Sequence, residues 1–598
     1  MAFLGLLVFL IQALRYAHTT VSSLDEGAYL FKGLLFATGQ YRPFQLFGAW
    51  TNKAPLAFLI PGYAELIFGP SLRTGRYLAV LFGTLSLVAA WTAARRLGGK
   101  WLAAAVVWAV ALNPVLIKTY SEGVTQSTIA FMLALVLALT LGELRPTWQL
   151  ALSGFVAGVM ILVRQNMVLA LPLLVLYILW QHGRRPAWFA ALAGGGILLL
   201  FHILYWPNIM QLWLPWLPDG ISGLFGEAAI QFSGEGAWNP SIDFNGRLLS
   251  FFQGMRFHFL AVTGMIVGLS LWPKRGDAKF PQTEFRAAVF LAALFIGLLL
   301  MHSWASISND YCVFCFTPYL AFFNICALLF AVLLVRVLQR NASPWRAVLL
   351  ALVLIAIFAG IGFSAFEDLG DGLLNLNVPR LRGARILPGF TTLWELLSNK
   401  FALERNSAEK LVSTAAGALG GLVLLGLAYL IYRKYRNPDL NYAYVLGICV
   451  LVFGFIFSPA LAGSAGRADC ETDVIAANEL DGAYLADHIP PGSQIFWSGG
   501  LSVAPLLYVP GIRIYPPQIN DGYSFRVGGD AQELLKYGLW NAELQTLWLQ
   551  QADFVIVEGW RYSEMKDSLP PAEYDELPRS PAQTSCLDGS GLRLFRRK

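Results

Sequence analysis

"RTGRYLAVLFGTLSLVAAWTAARRLGGKWLAAAVVWAVALNPVLIK", residues 73–118, holds two apolar runs, 73–94 and 101–118, on either side of Arg95, Arg96 and Lys100. A bilayer crossing needs about 20 mostly apolar residues. Both runs come close to that length, and they are continuous rather than alternating, which reads as helix and not as barrel strand. Comparable runs recur at 3–21, 123–142, 148–163, 166–181, 188–206, 256–272, 286–301, 311–335, 346–364, 411–432 and 441–460. The expectation is a polytopic all-α membrane protein with about 13 transmembrane helices.

Composition agrees. The chain has 598 residues, 56% hydrophobic and 13% charged, with a mean hydropathy of +0.56. A soluble chain of that length would divide into roughly four domains, which these recurrent runs exclude. The net charge of +6 says little about partners, and no basic, aromatic-interleaved surface suggests nucleic acid. The first run, Ala2–Val21, lacks a basic leader and an A-x-A-like cleavage site and is expected to be a retained helix.

Under thirteen spans, Arg95, Arg96, Lys100, Arg145, Arg184, Arg185, Lys274, Arg275, Lys279, Arg286, Arg336, Arg340, Arg346, Arg433, Lys434 and Arg436 fall on one side. The positive-inside rule makes that side cytoplasmic. The other side receives the loops 22–72, 207–255 and 365–410 and the tail from about 462. Within 22–72, the pieces 26–38 and 54–68 are amphipathic and could lie along the membrane surface. Trp206, Trp213 and Trp216 suit the interfacial aromatic belt. The expected domains are thus 1–461, transmembrane, and 462–598, an extracytoplasmic α/β domain. In that tail "SQIFWSGG", "GIRIYPP" and "ADFVIVEG" read as buried strands, and 473–488 and 530–551 as helices. Cys312, Cys315, Cys326 and Cys449 lie in apolar runs and read as packing residues. Cys470 and Cys586 lie outside them and could pair in an oxidising compartment.

Charges gather at one face of the first four spans. "SSLDEGAYLFKG" (22–33) places Asp25 and Glu26 just after the first run, and "WTNKAPL" (50–56) carries Lys53. Arg73 and Arg76 open the second span, and "YSEGVTQS" (120–127) puts Glu122 in a short turn. Each has a plain alternative: capping for the acids, snorkelling for Lys53, a lipid headgroup contact for Arg76. Their convergence favours a site, since a charge deep in a bilayer costs roughly 2.5–3.5 kcal/mol on insertion scales. Arg164-Gln165-Asn166 either anchors its helix, the favoured reading, or meets a substrate. His302, Asn309 and Asp310 receive no role, and the Asn341-Ala-Ser sequon falls on the cytoplasmic side.

The order "LDEGAYLFKGLLFATGQYRPF…AWTNKAPLAFLI…FGPSLRTGRYLAVLFGTL" resembles the first outer loop and second span of the GT-C membrane glycosyltransferases, in particular the protein O-mannosyltransferases and the lipid A aminoarabinose transferase-like enzymes. The resemblance is firm over 22–100 and continues more weakly into "GVMILVRQN" (158–166). It implies transfer of a sugar from a polyprenyl-phosphate-linked donor to an acceptor hydroxyl on a glycan, lipid or protein. Asp25 matches the family's catalytic acid and Glu26 its neighbour. Lys53 and Arg76 match cations that hold the lipid phosphate, and Glu122 stands where related enzymes often have Asp. A carboxylate base suits the chemistry, as do fixed cations facing a phosphate leaving group. A monophosphate leaving group can be met by side-chain cations, so no metal or other cofactor is expected. A single base implies inversion, by analogy with hydrolases. The expected location is a bacterial inner (plasma) membrane, with the active site and C-terminus extracytoplasmic. The alternative is a transporter or flippase of a lipid-linked glycan, which would favour repeated halves and charges near the midplane; the charges here sit at helix ends.

Overall fold

The fold is taken from a computed structural model, which describes all residues except 45–53, 214–234, 237–239, 273–280, 308–309, 338–343, 383–384, 436–440, 464–468, 500–501, 517–523, 537–538, 583–585 and 587–590. The first helices are Ala2–Thr19 (α1), Leu24–Ala37 (α2), Leu56–Phe68 (α3), Leu72–Ala111 (α4), Pro114–Thr119 (α5), Thr125–Thr140 (α6), Thr147–Val163 (α7), Ala170–His182 (α8) and Arg184–Leu204 (α9). Phe244–Phe257 (α10), Phe259–Ser270 (α11), Gln282–Ile307 (α12), Asn324–Val337 (α13), Pro344–Ser364 (α14) and Phe366–Leu374 (α15) follow. A hairpin of Asn377–Arg382 (β1) and Arg385–Thr392 (β2) leads to Leu393–Phe401 (α16), Arg405–Lys434 (α17) and Tyr442–Leu461 (α18).

Among the described residues, nine helical stretches are long and apolar enough to cross a membrane, and α3, α6, α7 and α11 are shorter apolar helices. The chain is therefore an integral membrane protein built of apolar helices. The runs expected at 73–94 and 101–118 form one helix, α4, broken at Gly99, with the end of the second run set apart as α5. Gly99 has φ +80°, a conformation that residues with a Cβ rarely adopt. Small residues bring some helices into close contact. A Cβ on Gly154 of α7 would lie 2.1 Å from the Ala190 carbonyl oxygen of α9, the kind of approach that small-residue stripes permit in membranes.

The loops of the sequence reading hold more structure than expected. The segment 207–255 contributes α10, and 365–410 contributes α15, the β1–β2 hairpin and α16. The two amphipathic pieces are α2 and α3. Ser23 caps α2 by accepting from the Glu26 N–H at 3.3 Å, with Asp25 and Glu26 in the first turn, where the helix dipole favours them. Most of α2 is buried, so it does not lie on a surface. On α3, by contrast, Tyr63, Leu66, Ile67 and Phe68 form an exposed apolar edge.

The C-terminal domain begins with Val474–His488 (α19). Its sheet contains Gln494–Ser498 (β3), Arg513–Tyr515 (β4), Phe554–Glu558 (β5), Tyr574–Glu576 (β6) and Leu592–Arg597 (β7) in the order β4-β3-β5-β7-β6, with Ala531–Lys536 (α20) and Ala542–Gln551 (α21) between β4 and β5. The three expected strands, β3, β4 and β5, are mutually parallel, and β7 and β6 add an antiparallel edge. The helix expected at 530–551 is two. Strand alternation sends Phe496, Val555 and Val557 to a core with α20 and α21. Ile495, Trp497 and Ile556 go to the other face, against α19 and against Leu30, Phe31 and Leu35 of α2. The first helix after α1 is thus part of the core of the last domain.

Further contacts fasten that domain to the same end of the bundle. Thr20 pairs with Asp469 as an isolated bridge and the Cys470 N–H donates to the Thr19 carbonyl at 2.7 Å. Lys118 pairs with Asp469 at 2.8 Å, His18 with Asp473 at 2.8 Å, and Arg73 with Glu479 through contacts of 2.7 and 2.8 Å. Cys470 and Cys586 form a disulfide.

Candidate active site

Asp25 and Glu26 begin α2 about 100° apart on the helix and lie in different surroundings. Glu26 is fully buried. Its Oε1 accepts from Arg76 Nε at 3.0 Å and from the Gly123 N–H at 2.7 Å. Its Oε2 accepts from Arg76 Nη2 at 2.8 Å and Ser22 Oγ at 2.8 Å. Arg76 is equally buried and sends Nη1 to the Ala17 carbonyl at 2.6 Å. Burial would push the Glu26 carboxyl up, but the adjoining guanidinium, helped by Gly123 and Ser22, brings it below the ordinary glutamate value. One carboxylate thereby joins the end of α1, the start of α2, the first turns of α4 and the turn after α5. Ser22 Oγ also lies 2.9 Å from Ser502 Oγ, which extends the network into the C-terminal domain.

Asp25 is exposed. Its charge reaches Tyr29, Tyr319 and Cys315, so it faces the segment that follows α12. The Tyr29 hydroxyl bonds to Thr125 and is pushed up to about 12, first by burial and next by Asp25, with Arg164 acting in the opposite sense. Arg164, at the end of α7, donates to Thr125 Oγ1 at 2.9 Å and lies over the Tyr319 ring at 4.6 Å. Asp25, Tyr29, Thr125, Arg164 and Tyr319 therefore make one cluster.

Glu122 is buried in the turn whose next residue holds Glu26. It lines a cavity of about 600 Å³ with Lys118, Asp243, Ser250 and Glu367 among apolar walls that include Phe257 and Phe314. The structure thus brings Asp25, Glu26, Arg76 and Glu122 together. The expectation that Arg76 reaches a lipid phosphate does not fit its geometry: it is enclosed, and its contacts run to Glu26 and Ala17. Lys53 lies outside the described residues, as do Trp216, Asn309 and Asn341.

Residues 52–210 match the family model described as dolichyl-phosphate-mannose-protein mannosyltransferase. The chain resembles a GT-C membrane glycosyltransferase. Solved structures similar to it include GT-C enzymes from several sources. ArnT from Cupriavidus metallidurans, bound to undecaprenyl phosphate, is 15% identical, with 99% of this chain and 96% of that one covered and a TM-score of 0.47. Arabinofuranosyltransferase AftD from Mycobacteria is 13% identical, covering 100% and 39% of the two chains, with a TM-score of 0.44. The oligosaccharyltransferase of Archaeoglobus fulgidus tethered to an acceptor peptide is 12% identical, covering 94% and 70%, with a TM-score of 0.42. A search of curated proteins found no match.

One charged side chain beside these residues, Lys118, escaped the sequence reading. Lys118 stands four residues before Glu122, a spacing that would have drawn notice had it not closed an apolar run. Arg164 was read as a helix anchor, the favoured reading, or a substrate contact; its stacking on Tyr319 suits the first, and the same position sets it beside the Asp25 cluster. Asp310 pairs with Arg247.

Proposed function

We propose that the chain transfers a sugar from a polyprenyl-phosphate-linked donor to an acceptor hydroxyl at the outer membrane face, with Asp25 as general base. The observation that carries this reading is the division between the two acids: Glu26 is consumed by its buried network, and that network sets an exposed Asp25 at the start of a helix. In the reaction the acceptor hydroxyl gives its proton to the Asp25 carboxylate as its oxygen bonds to the anomeric carbon. The bond from that carbon to the phosphate oxygen breaks, and the lipid monophosphate leaves with the electron pair. A single displacement of this kind inverts the configuration.

Growing charge on the leaving phosphate calls for fixed cations. We assign that role to Arg164, which neighbours Tyr29 and the Asp25 cluster, with Lys53 kept as its companion. Arg76 becomes a positioning residue, acting through Glu26. Glu122 and Lys118 in the 600 Å³ cavity are assigned to hydroxyl groups of the sugar or the acceptor.

The test is turnover of purified Asp25→Asn beside wild type, with thermal stability measured on both. Ser23, not Asp25, supplies the helix cap, so folding should be intact. A positioned base is worth roughly 10²–10⁴-fold, and turnover should fall by that much. Near-wild-type turnover would remove Asp25 from the chemistry.

A further inference from the structure

A second cavity, of about 410 Å³, lies between α2, α3 and the C-terminal domain, apart from the Asp25 cluster. Its walls are mostly apolar: Phe31, Leu34 and Leu35 from α2, Leu66 from α3, and Leu507 and Val509 from the C-terminal domain. That volume falls within the range of ligand pockets, roughly 300–1,000 Å³. One wall residue does not belong in such a place. Glu65 is fully buried, its Oε2 accepts from the Ser71 N–H at 2.6 Å, and its Oε1 has no hydrogen-bond partner among the described residues. Burial pushes this carboxyl up to about 8, against the smaller effect of Ser71. A neutral carboxyl offers an O–H donor, and a buried polar group left unpaired costs roughly 1–3 kcal/mol.

Leu66 is both a wall of this cavity and half-exposed on the apolar edge that α3 shares among Tyr63, Ile67 and Phe68. At 13 residues, α3 is about 20 Å long, too short to span a bilayer. An exposed apolar edge of this kind marks contact with an apolar partner, and in a chain built of membrane helices that partner is lipid. The cavity therefore adjoins the lipid-facing surface.

We propose that the cavity holds one ester-linked acyl chain of a membrane glycerolipid, whose ester oxygen accepts a hydrogen bond from Glu65. The polar requirement selects this occupant. A polyprenyl chain carries no oxygen until its phosphate, and an anionic phosphate would set a second acidic group beside a buried carboxyl. An ester carbonyl is a neutral acceptor attached to an apolar chain, which matches an otherwise apolar cavity whose wall carries two neutral donors, the Glu65 carboxyl and the Tyr508 hydroxyl, the latter also buried and without a hydrogen-bond partner among the described residues. The lipid would join α2 to the C-terminal domain as part of the wall between them. The proposal is independent of the transfer reaction.

The experiment uses the full chain in nanodiscs of phosphatidylglycerol carrying a diazirine within one acyl chain. After irradiation, adducts are mapped by peptide mass spectrometry. Wild type should carry adducts within 31–40, 65–70 or 505–512. Thr38→Trp, an exposed position on the cavity wall, should reduce them by about tenfold, a loss of one decade in occupancy, while adducts on α14 and α17 stay constant. Glu65→Leu should also lower them, and Glu65→Gln, which keeps a donor, should retain them. Absence of adducts in these segments from wild type would overturn the proposal. So would adducts indifferent to Thr38→Trp, or labelling by a diazirine polyprenyl phosphate in place of the glycerolipid.

Discussion

Removing one member of the Glu26–Arg76 pair leaves the other charged and buried, which costs roughly 3–5 kcal/mol, whereas replacing both by apolar residues is often far milder. Arg76→Leu should therefore lower unfolding stability by about 3–5 kcal/mol, and Glu26→Leu with Arg76→Leu should regain more than half of that. Unfolding measured in detergent, with donor KM recorded on the same proteins, checks it. An Arg76→Leu enzyme of normal stability with only a raised donor KM would restore the phosphate role to Arg76. At this scale much of the site was legible. Asp25, Glu26, Arg76 and Glu122 draw attention because charges are rare in an apolar chain and these stand at the ends of runs. What the sequence withholds is which charges satisfy each other. The contact from Glu26 to Arg76 spans 50 residues and that to Gly123 spans 97, and neither follows from local spacing.

On α19, Asp481 is fully buried and accepts from Ser580 Oγ. Burial pushes its carboxyl up to about 7, and Ser580 only partly opposes this. A carboxyl whose pKa is raised by folding holds its proton more tightly in the folded state. Its contribution to stability is thus fully present below the unfolded value of about 3.9 and is lost as pH rises through about 7. Asp481→Asn should gain stability over wild type progressively between about pH 4 and about pH 7, with little further change above that; Tm against pH for both proteins measures it. A constant gap across that range would place Asp481 outside the pH response. Elements of the membrane part were easy to read because long apolar runs leave few alternatives. The β1–β2 hairpin was missed because its strands carry Pro379, Arg380 and Pro388, which obscure alternation. In β7, charged Arg593, Arg596 and Arg597 hid the inward Leu592 and Leu594. The fold also places α2, read as a surface helix, inside a core that only the C-terminal strands complete.

For the molecule as a whole, the proposed orientation puts α2 and the C-terminal domain outside. Single-cysteine probes at Ser568, exposed near the end of the chain, and at Arg185, exposed at the start of α9, test it. An impermeant thiol reagent applied to intact cells should label Ser568→Cys and spare Arg185→Cys. The reverse pattern would overturn both the orientation and an outer-face reaction. The docking of the C-terminal domain also bears on biosynthesis. Ser22 and Ser502 meet across 480 residues, so one segment is completed by another that is made much later. At about 5–20 residues per second, a ribosome needs roughly half a minute to a minute and a half between the two. During that interval Leu30, Phe31 and Leu35 have no sheet to cover them, and Ser22, which donates to the Glu26 carboxylate, lacks Ser502. Chains released early would carry every proposed catalytic residue in an unfinished setting, so an interrupted translation product should be inert.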